Sequence, residues 1–276
     1  MVTSEIPAER PTGFDVDPTL PSPSRVLSRI LRTGSEGSYA VDRKVVDPLL
    51  AFAPGLRDSA LDDQQFFKRA VRYMAEHHKI EQFLVIGYGL PGNYEIHYVA
   101  REVIPKARVV YAAADTMVNL AASALIVGSP RIAYINGDPR NTESILYDPA
   151  TQDLINFSQP IGLVFAGSLN YIPDADDPWG AVHNLLEEVP RGSCAAISHV
   201  TADGIDPATF GKIESVYNKI PNRFYFRTYE QTMRFFADWP LEEPPGLVHS
   251  GNWSVKEEPP VPERVMYVWA GVARKP

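Results

Sequence analysis

The residues of this 276-residue chain best suited to chemistry begin with Gly87-Tyr88-Gly89-Leu90-Pro91-Gly92. The segment matches G-x-G-x-x-G, follows the apolar run Phe83–Ile86 and opens a helical stretch, the setting that gives the pattern meaning. Glycines there let backbone N–H groups approach a ligand at a helix N-terminus, where the helix dipole favours anionic groups. Such a loop serves the pyrophosphate of NAD, or the amino-acid and ribose end of S-adenosylmethionine, or is a tight turn that holds nothing. Two features argue against NAD. Pro91 removes a backbone donor, and Ala113 stands at the tip of the next strand, where a ribose diol needs an acid. Asp115 follows two residues later and substitutes only if the loop bends.

For proton transfer, His199 in Ser198-His-Val-Thr201 lies just after a strand, and an imidazole there can exchange a proton near neutral pH. A histidine hydrogen-bonded to loop backbone explains the same placement. Asn170 and Tyr171 follow another strand, at the ligand edge of such a sheet, although Tyr171 also suits packing. His97 lies on a helix and reads as structural, and His77-His78 ends a helix as a solvated dipole contact. Asp174, Asp176 and Asp177 lie beside Pro173 and Pro178. They suit a loop and the next helix cap better than a metal site, because no histidine or further carboxylate is spaced to complete one. Cys194, the only cysteine, excludes an intramolecular disulfide and a cysteine zinc site.

The elements that must position these groups come in two stretches. The first 80 residues read as a proline-rich arm followed by three helices. The first helix has Ser22 as N-cap, Pro23 at N1 and an apolar stripe of Val26, Leu27, Ile30 and Leu31. The second runs from about Val41 to Phe52, broken or kinked by Pro48. The third runs from Asp58 to His78, with Leu61, Phe66, Ala70, Val71 and Met74 on one side. From residue 81 strands and helices alternate. Strands are expected at Phe83–Ile86, Arg108–Ala112, Arg131–Ile135, Ile161–Phe165 and Ser193–Ser198. Helices follow at Tyr94–Val103, Met117–Ile126, Asp177–Val189 and Asp206–Asn218. That alternation demands a parallel sheet covered on both faces. Thr228-x-x-Gln231 is a capping box for a helix through Ala237, and the alternating tail Val265–Ala273 closes the sheet with antiparallel strands. The expectation is an α/β, doubly wound domain over residues 81–276, with residues 1–80 as its arm and helical cap, in one compact unit.

A 45% hydrophobic, 22% charged composition permits a sizeable core and excludes a disordered chain. The net charge of −8, without a basic run, makes nucleic acid a poor partner. No apolar stretch spans a bilayer and no secretory signal opens the chain, so a cytoplasmic location is expected. The aromatic residues Tyr39, Phe52, Phe66, Phe67, Tyr94, Tyr98, Tyr171, Trp179 and Trp239 are supply enough to wall a pocket for a largely apolar or aromatic small molecule. Oligomeric state is not readable from these features.

Ordered matches run along nearly the whole chain: Asp17–Val26, Tyr39–Arg43, Phe66–Tyr73, Gln82–Pro91, Ala107–Tyr111, Ile172–Pro178, Ser198–Thr201 and Gly271–Pro276. On these motifs the sequence resembles the actinobacterial S-adenosylmethionine-dependent methyltransferases long catalogued as a domain of unknown function. The resemblance implies a class I methyltransferase-like, Rossmann-like fold and S-adenosylmethionine as cofactor. It implies cofactor contacts from Gly87, Tyr88, Gly89, Leu90, Ala113, Asp115, Asp138 and Ser168, with Asp138 where the fold accepts the adenine amino group. The departures fall on cofactor positions. Val85 replaces the family's acid in Asp-Ile-Gly-Thr-Gly, Tyr88 replaces a small hydroxyl residue, and Ala113 replaces the acid that accepts both ribose hydroxyls. Leu169-Asn170-Tyr171 replaces Leu-His-Phe. Each lost charge-assisted hydrogen bond costs about 1.5–3 kcal/mol.

Three functions follow as expectations. The first is a small-molecule methyltransferase of secondary, natural-product metabolism, with His199, Tyr171 and Asn170 as the groups nearest the chemistry. The second is a cyclase, isomerase or pericyclic catalyst on the same fold without methyl transfer. The third is a non-catalytic ligand-binding protein.

Overall fold

The computed structural model describes residues 19–32, 38–87, 96–124, 129–220, 223–243, 245–254 and 267–276. The expectations for the arm before residue 19 and for Tyr88, Gly89 and Leu90 lie outside the described residues.

Three helices come first: α1 (Pro23–Leu31), α2 (Ala40–Phe52) and α3 (Gly55–His77). Pro23 occupies the first turn of α1, where its missing N–H costs nothing. Tyr39 and Asp42 form a capping box on α2, which continues through Pro48 without the expected break. The rest of the chain builds a seven-stranded sheet in the order β3-β2-β1-β4-β5-β7-β6. Strands β1 (Gln82–Ile86), β2 (Arg108–Ala113), β3 (Ile132–Asn136), β4 (Gly162–Phe165) and β5 (Cys194–Val200) are parallel. The antiparallel β7 (Val268–Arg274) pairs with β5, and the two-residue β6 (Val248–His249) pairs with β7. The connecting helices are α4 (Ile96–Val103), α5 (Thr116–Ser123), α6 (Thr142–Leu146), α7 (Pro149–Leu154), α8 (Pro178–Glu188), α9 (Pro207–Tyr217) and α10 (Tyr229–Met233). Among the described residues no helix is long and apolar enough to cross a membrane.

Alternate residues of β1 enter opposite cores, as strand geometry requires. Phe83 and Val85 face a core shared with Phe66, Phe67, Ala70, Val71 and Met74 of α3, whereas Leu84 and Ile86 face a core shared with Val182, Leu185 and Leu186 of α8. Thus α3 lies in the layer that covers the sheet. A third core holds Val26 and Ile30 of α1 and Val46 and Leu49 of α2, with Ile213 and Tyr217 of α9. The cap is therefore α1 and α2 resting on α9, at the carboxyl edge of the sheet.

Two local expectations are corrected. Leu61 is 39% exposed, because its place on α3 turns away from the sheet. His78 is half-buried and paired with Glu242, Nε2 to Oε1 2.8 Å, so it is not a solvated surface group. Burial lowers its pKa. Of the aromatic residues, Phe66 and Phe67 pack inside the sheet core, whereas Tyr98 (59% exposed) and Tyr39 (47%) are surface rings. Two short helices, α6 and α7, were not expected, although Asn141 and the pair Asp148-Pro149 are cap signals for them.

Candidate active site at the carboxyl edge

Strand order reverses between β1 and β4, since β2 and β3 lie to one side of β1 and β5 to the other. Ligands of open α/β sheets bind at such a switch point, outside the carboxyl ends of the strands. There β1 is followed by Gly87 at φ +76°, and a Cβ on Gly87 would lie 2.5 Å from Ser168 Cβ. Only glycine satisfies both the left-handed backbone and that approach. Ser168 Oγ donates to Ile86 O at 3.0 Å, stitching the loop after β4 to the end of β1. The start of α4 is fixed to the neighbouring strand as well. His97 N donates to Tyr111 Oη at 2.9 Å, and the hydroxyl in turn meets His97 Nδ1 at 2.8 Å. Burial pushes the His97 ring down to about 4. The structural role expected for His97 is thus a clamp between α4 and β2.

Ala113 closes β2 and is 7% exposed, within the core shared with α3. Its carbonyl accepts from Asn119 Nδ2 and from Gly137 N, so this strand tip is held through its backbone. Asp115, two residues on, is half-buried. Its Oδ1 accepts from Val118 N at 3.4 Å, and its Oδ2 from Ser24 Oγ of α1 at 3.3 Å. The cap therefore touches the acid at the end of β2. Asp138, after β3, forms an ion pair with Arg140, Oδ2 to Nη2 2.5 Å, and Arg140 also reaches Asp176. Desolvation opposes the charge on Asp138, but the Arg140 hydrogen bonds win and hold its pKa below the usual carboxylate value.

His199, Asn170 and Tyr171 do come together, around a residue the sequence reading passed over. Arg227 is 2% exposed. Its Nη1 donates to Leu169 O at 3.1 Å and meets His199 Nε2 at 2.6 Å, while Nη2 donates to Ile172 O and to Asp174 Oδ1, both at 2.7 Å. A guanidinium only donates, so His199 Nε2 must accept, and Nδ1–H then donates to Val200 O at 2.8 Å. Burial, with the Arg227 charge adding to it, pushes the ring down to about 3. His199 is a neutral, fully enclosed ring stacked on Phe235. These contacts make it a strut for the β4 loop and leave neither ring nitrogen open to a substrate. Asn170 is a second strut: its Oδ1 accepts from Val200 N, and its backbone carbonyl accepts from Tyr225 N. Tyr171 packs on Phe224 with ring centroids 4.7 Å apart. Arg227 carried a weak signal, a lone cation after the alternating Phe224-Tyr225-Phe226, but nothing local to say that it would be buried.

The acids Asp174, Asp176 and Asp177 are spent on Arg227, on Arg140 and on the N-cap of α8, respectively. Among the described residues no group of three metal-ligating side chains exists. Cys194 is buried, and desolvation pushes its thiol up to about 12, as suits packing. Asp115 and Asp138 are acceptor-only carboxylates beyond neighbouring strand ends, and an adenosyl group offers hydroxyl and amino donors. The residues present fit such a group.

The sequence profile of the S-adenosyl methyltransferase family matches residues 9–276. A crystal structure of a candidate methyltransferase from Thermobifida fusca is 32% identical over 93% of this chain and 96% of its own, with a TM-score of 0.83. A DUF574 family protein from Streptomyces avermitilis is 30% identical over 93% and 98%, with a TM-score of 0.85. No curated protein matches the chain. The fold has the class I methyltransferase arrangement expected of the sequence, and the chain belongs to the S-adenosyl methyltransferase family, whose cofactor is S-adenosylmethionine.

Proposed function

We propose that the protein methylates a small, largely apolar or aromatic molecule, with Asp115 taking the part that an acid at position 113 plays in its relatives. The observation that carries this reading is the Asp115 carboxylate at the β2 edge, held by the first turn of α5 and by Ser24 of the cap. A carboxylate has about four acceptor positions, so it can take a ribose hydroxyl alongside these partners, while Asp138 faces the adenine side. The bound cofactor supplies an activated methyl group on sulfur. The protein contributes placement: Gly87 and Ser168 hold the ends of β1 and β4 together, and Arg227, His199 and Asn170 hold the loop that carries Tyr171. Because His199 is enclosed, it does not serve as the acceptor's base. Natural-product metabolism and a cytoplasmic location fit a small-molecule acceptor.

The test is calorimetric titration with S-adenosylmethionine and S-adenosylhomocysteine, on the natural chain and on Ala113→Asp. Micromolar binding by the natural chain is expected, with a further gain of about tenfold in Ala113→Asp. No binding by the natural chain would reject the reading. A second reading, the same fold working as a cyclase, isomerase or pericyclic catalyst or as a non-catalytic binder, draws on Val85 and Ala113. Both are apolar core residues, at strand positions where the resemblance implies acids. Turnover of a polycyclic precursor without any cofactor would favour catalysis of that kind, and binding without turnover would favour a binder.

A further inference from the structure

The first turn of α1 stands between two carboxylates, one inside the cap and one at the end of β2. Asp42 of α2 is fully buried, and the N-cap residues of both cap helices converge on it. Ser22 N donates to its Oδ1 at 3.1 Å, while Tyr39 N and Arg25 Nε donate to its Oδ2 at 2.6 and 2.8 Å. Arg25 also donates through Nη2 to Leu20 O at 2.5 Å and lies over the Tyr39 ring, 4.5 Å from its centroid. Losing one of these partners would leave a buried charge uncompensated. The beginning of α1 is thereby locked to the beginning of α2.

Apolar packing carries that placement to the sheet. Val26 and Ile30 enter the third core with α2 and α9, whereas Leu27 packs against the core that holds Ala113, Val118 and α3. Next to Arg25, Ser24 Oγ donates to Asp115 Oδ2 at 3.3 Å, and the other carboxylate oxygen, Oδ1, accepts from Val118 N of α5 at 3.4 Å. Both contacts are long for hydrogen bonds, so each alone holds the carboxylate weakly. A carboxylate with one such bond still turns about its Cβ–Cγ bond, a broad torsion. Two bonds, reaching its two oxygens from different helices, fix its plane. A ribose diol presents two hydroxyls at a set spacing, so what it gains from an acceptor-only carboxylate depends on that plane.

We propose that Ser24 is a positioning residue for the cofactor's ribose, acting through Asp115, and that the cap is thereby part of the cofactor site. This rests on the methyltransferase reading above and deepens it. Asp42 and Arg25 place the first turn of α1, Ser24 sets the plane of Asp115, and Asp115 takes the ribose hydroxyls. No contact between Ser24 and the cofactor itself is assigned. Coupling of this kind is reciprocal, so the bound cofactor also tightens the hold of the cap.

The experiment is calorimetric titration of the full chain with S-adenosylhomocysteine and with its 2′,3′-dideoxy analogue, which differ by the two ribose hydroxyls. The natural protein is expected to hold S-adenosylhomocysteine about tenfold or more tightly than the analogue. In Ser24→Ala that ratio falls about threefold, through weaker binding of S-adenosylhomocysteine at unchanged binding of the analogue. Ser24→Thr, which keeps the hydroxyl, restores it. Each ratio is taken within one protein, so a general loss of folded chain cancels. A merely structural role for Ser24 would weaken both ligands alike and leave the ratio where it was. A ratio unmoved in Ser24→Ala, with the natural preference intact, overturns the positioning role alone. A natural chain that binds S-adenosylhomocysteine without preferring it to the analogue overturns the ribose role of Asp115 and the positioning role together. Binding of neither ligand rejects the methyltransferase reading itself and this inference with it.

Discussion

The loop after β4 has two sides that differ in how their polar atoms are spent. On the side facing β5, Arg227 engages two carbonyls, the Asp174 carboxylate and the His199 ring through Nη1 and Nη2, leaving only its Nε buried without a partner, and Asn170 engages the backbone of Val200. On the side facing the cap, Tyr171 and Tyr217 leave both hydroxyls without a partner among the described residues. The difference separates polar groups that hold the loop from polar groups that hold nothing among the described residues. A group whose bonds are all made inside the protein has nothing left for a ligand, and a buried polar group whose bonds are unmade costs stability unless something else completes it. The residue that looks most catalytic in the sequence, His199, falls on the holding side.

The comparison is broken most severely at Arg227. Arg227→Met strands Leu169 O, Ile172 O and His199 Nε2 in the interior, and is expected to lower stability by about 3 kcal/mol. Urea unfolding reads this as a lower midpoint at an unchanged slope. A loss under about 1 kcal/mol would mean that the clamp is ornamental.

A smaller effect comes from acid. The rings of His199 and His97 are held down to about 3 and about 4, below the 6.5 of an unperturbed histidine. As pH falls the unfolded chain therefore takes up protons first. The stability these neutral rings contribute is complete above about pH 6.5 and is lost progressively toward pH 4 and 3. Each contributes a slope of up to about 1.4 kcal/mol per pH unit. Asn in place of His199 should remove the His199 slope. Stability curves between pH 6.5 and 4.5 that match in the natural chain and the variant would sink the argument.

The smallest effect is expected on the open side. Tyr171→Phe removes a hydroxyl that has no hydrogen-bond partner among the described residues, so its stability should stay within about 0.5 kcal/mol of the natural chain. A larger loss would move Tyr171 to the holding side.

Much of the fold was legible in local order. Five short apolar runs became five parallel strands because a strand buried on both faces must be apolar throughout. Asp177 and Asp206 became N-caps, and Thr228 with Gln231 formed the expected capping box, because these signals act within one turn. Gly87 was legible too, since a strand-to-helix turn at a switch point leaves little room for a side chain. Leu61 and His78 were misread because helical periodicity says which residues share a face, not what that face meets. Glu242, the partner of His78, is 164 positions away.

What the sequence by itself determined is the alternation of strand and helix, the acids beyond β2 and β3, and the family. These follow from residue type and spacing over a few turns. Only the tertiary structure decided that a buried arginine would neutralise the purpose expected of His199, that α9 would carry the cap, and that Tyr217 and Phe224 would meet Tyr171. Each of those depends on side chains tens of residues apart arriving at one point. There, burial and the number of partners, rather than residue type, set what a group can still do.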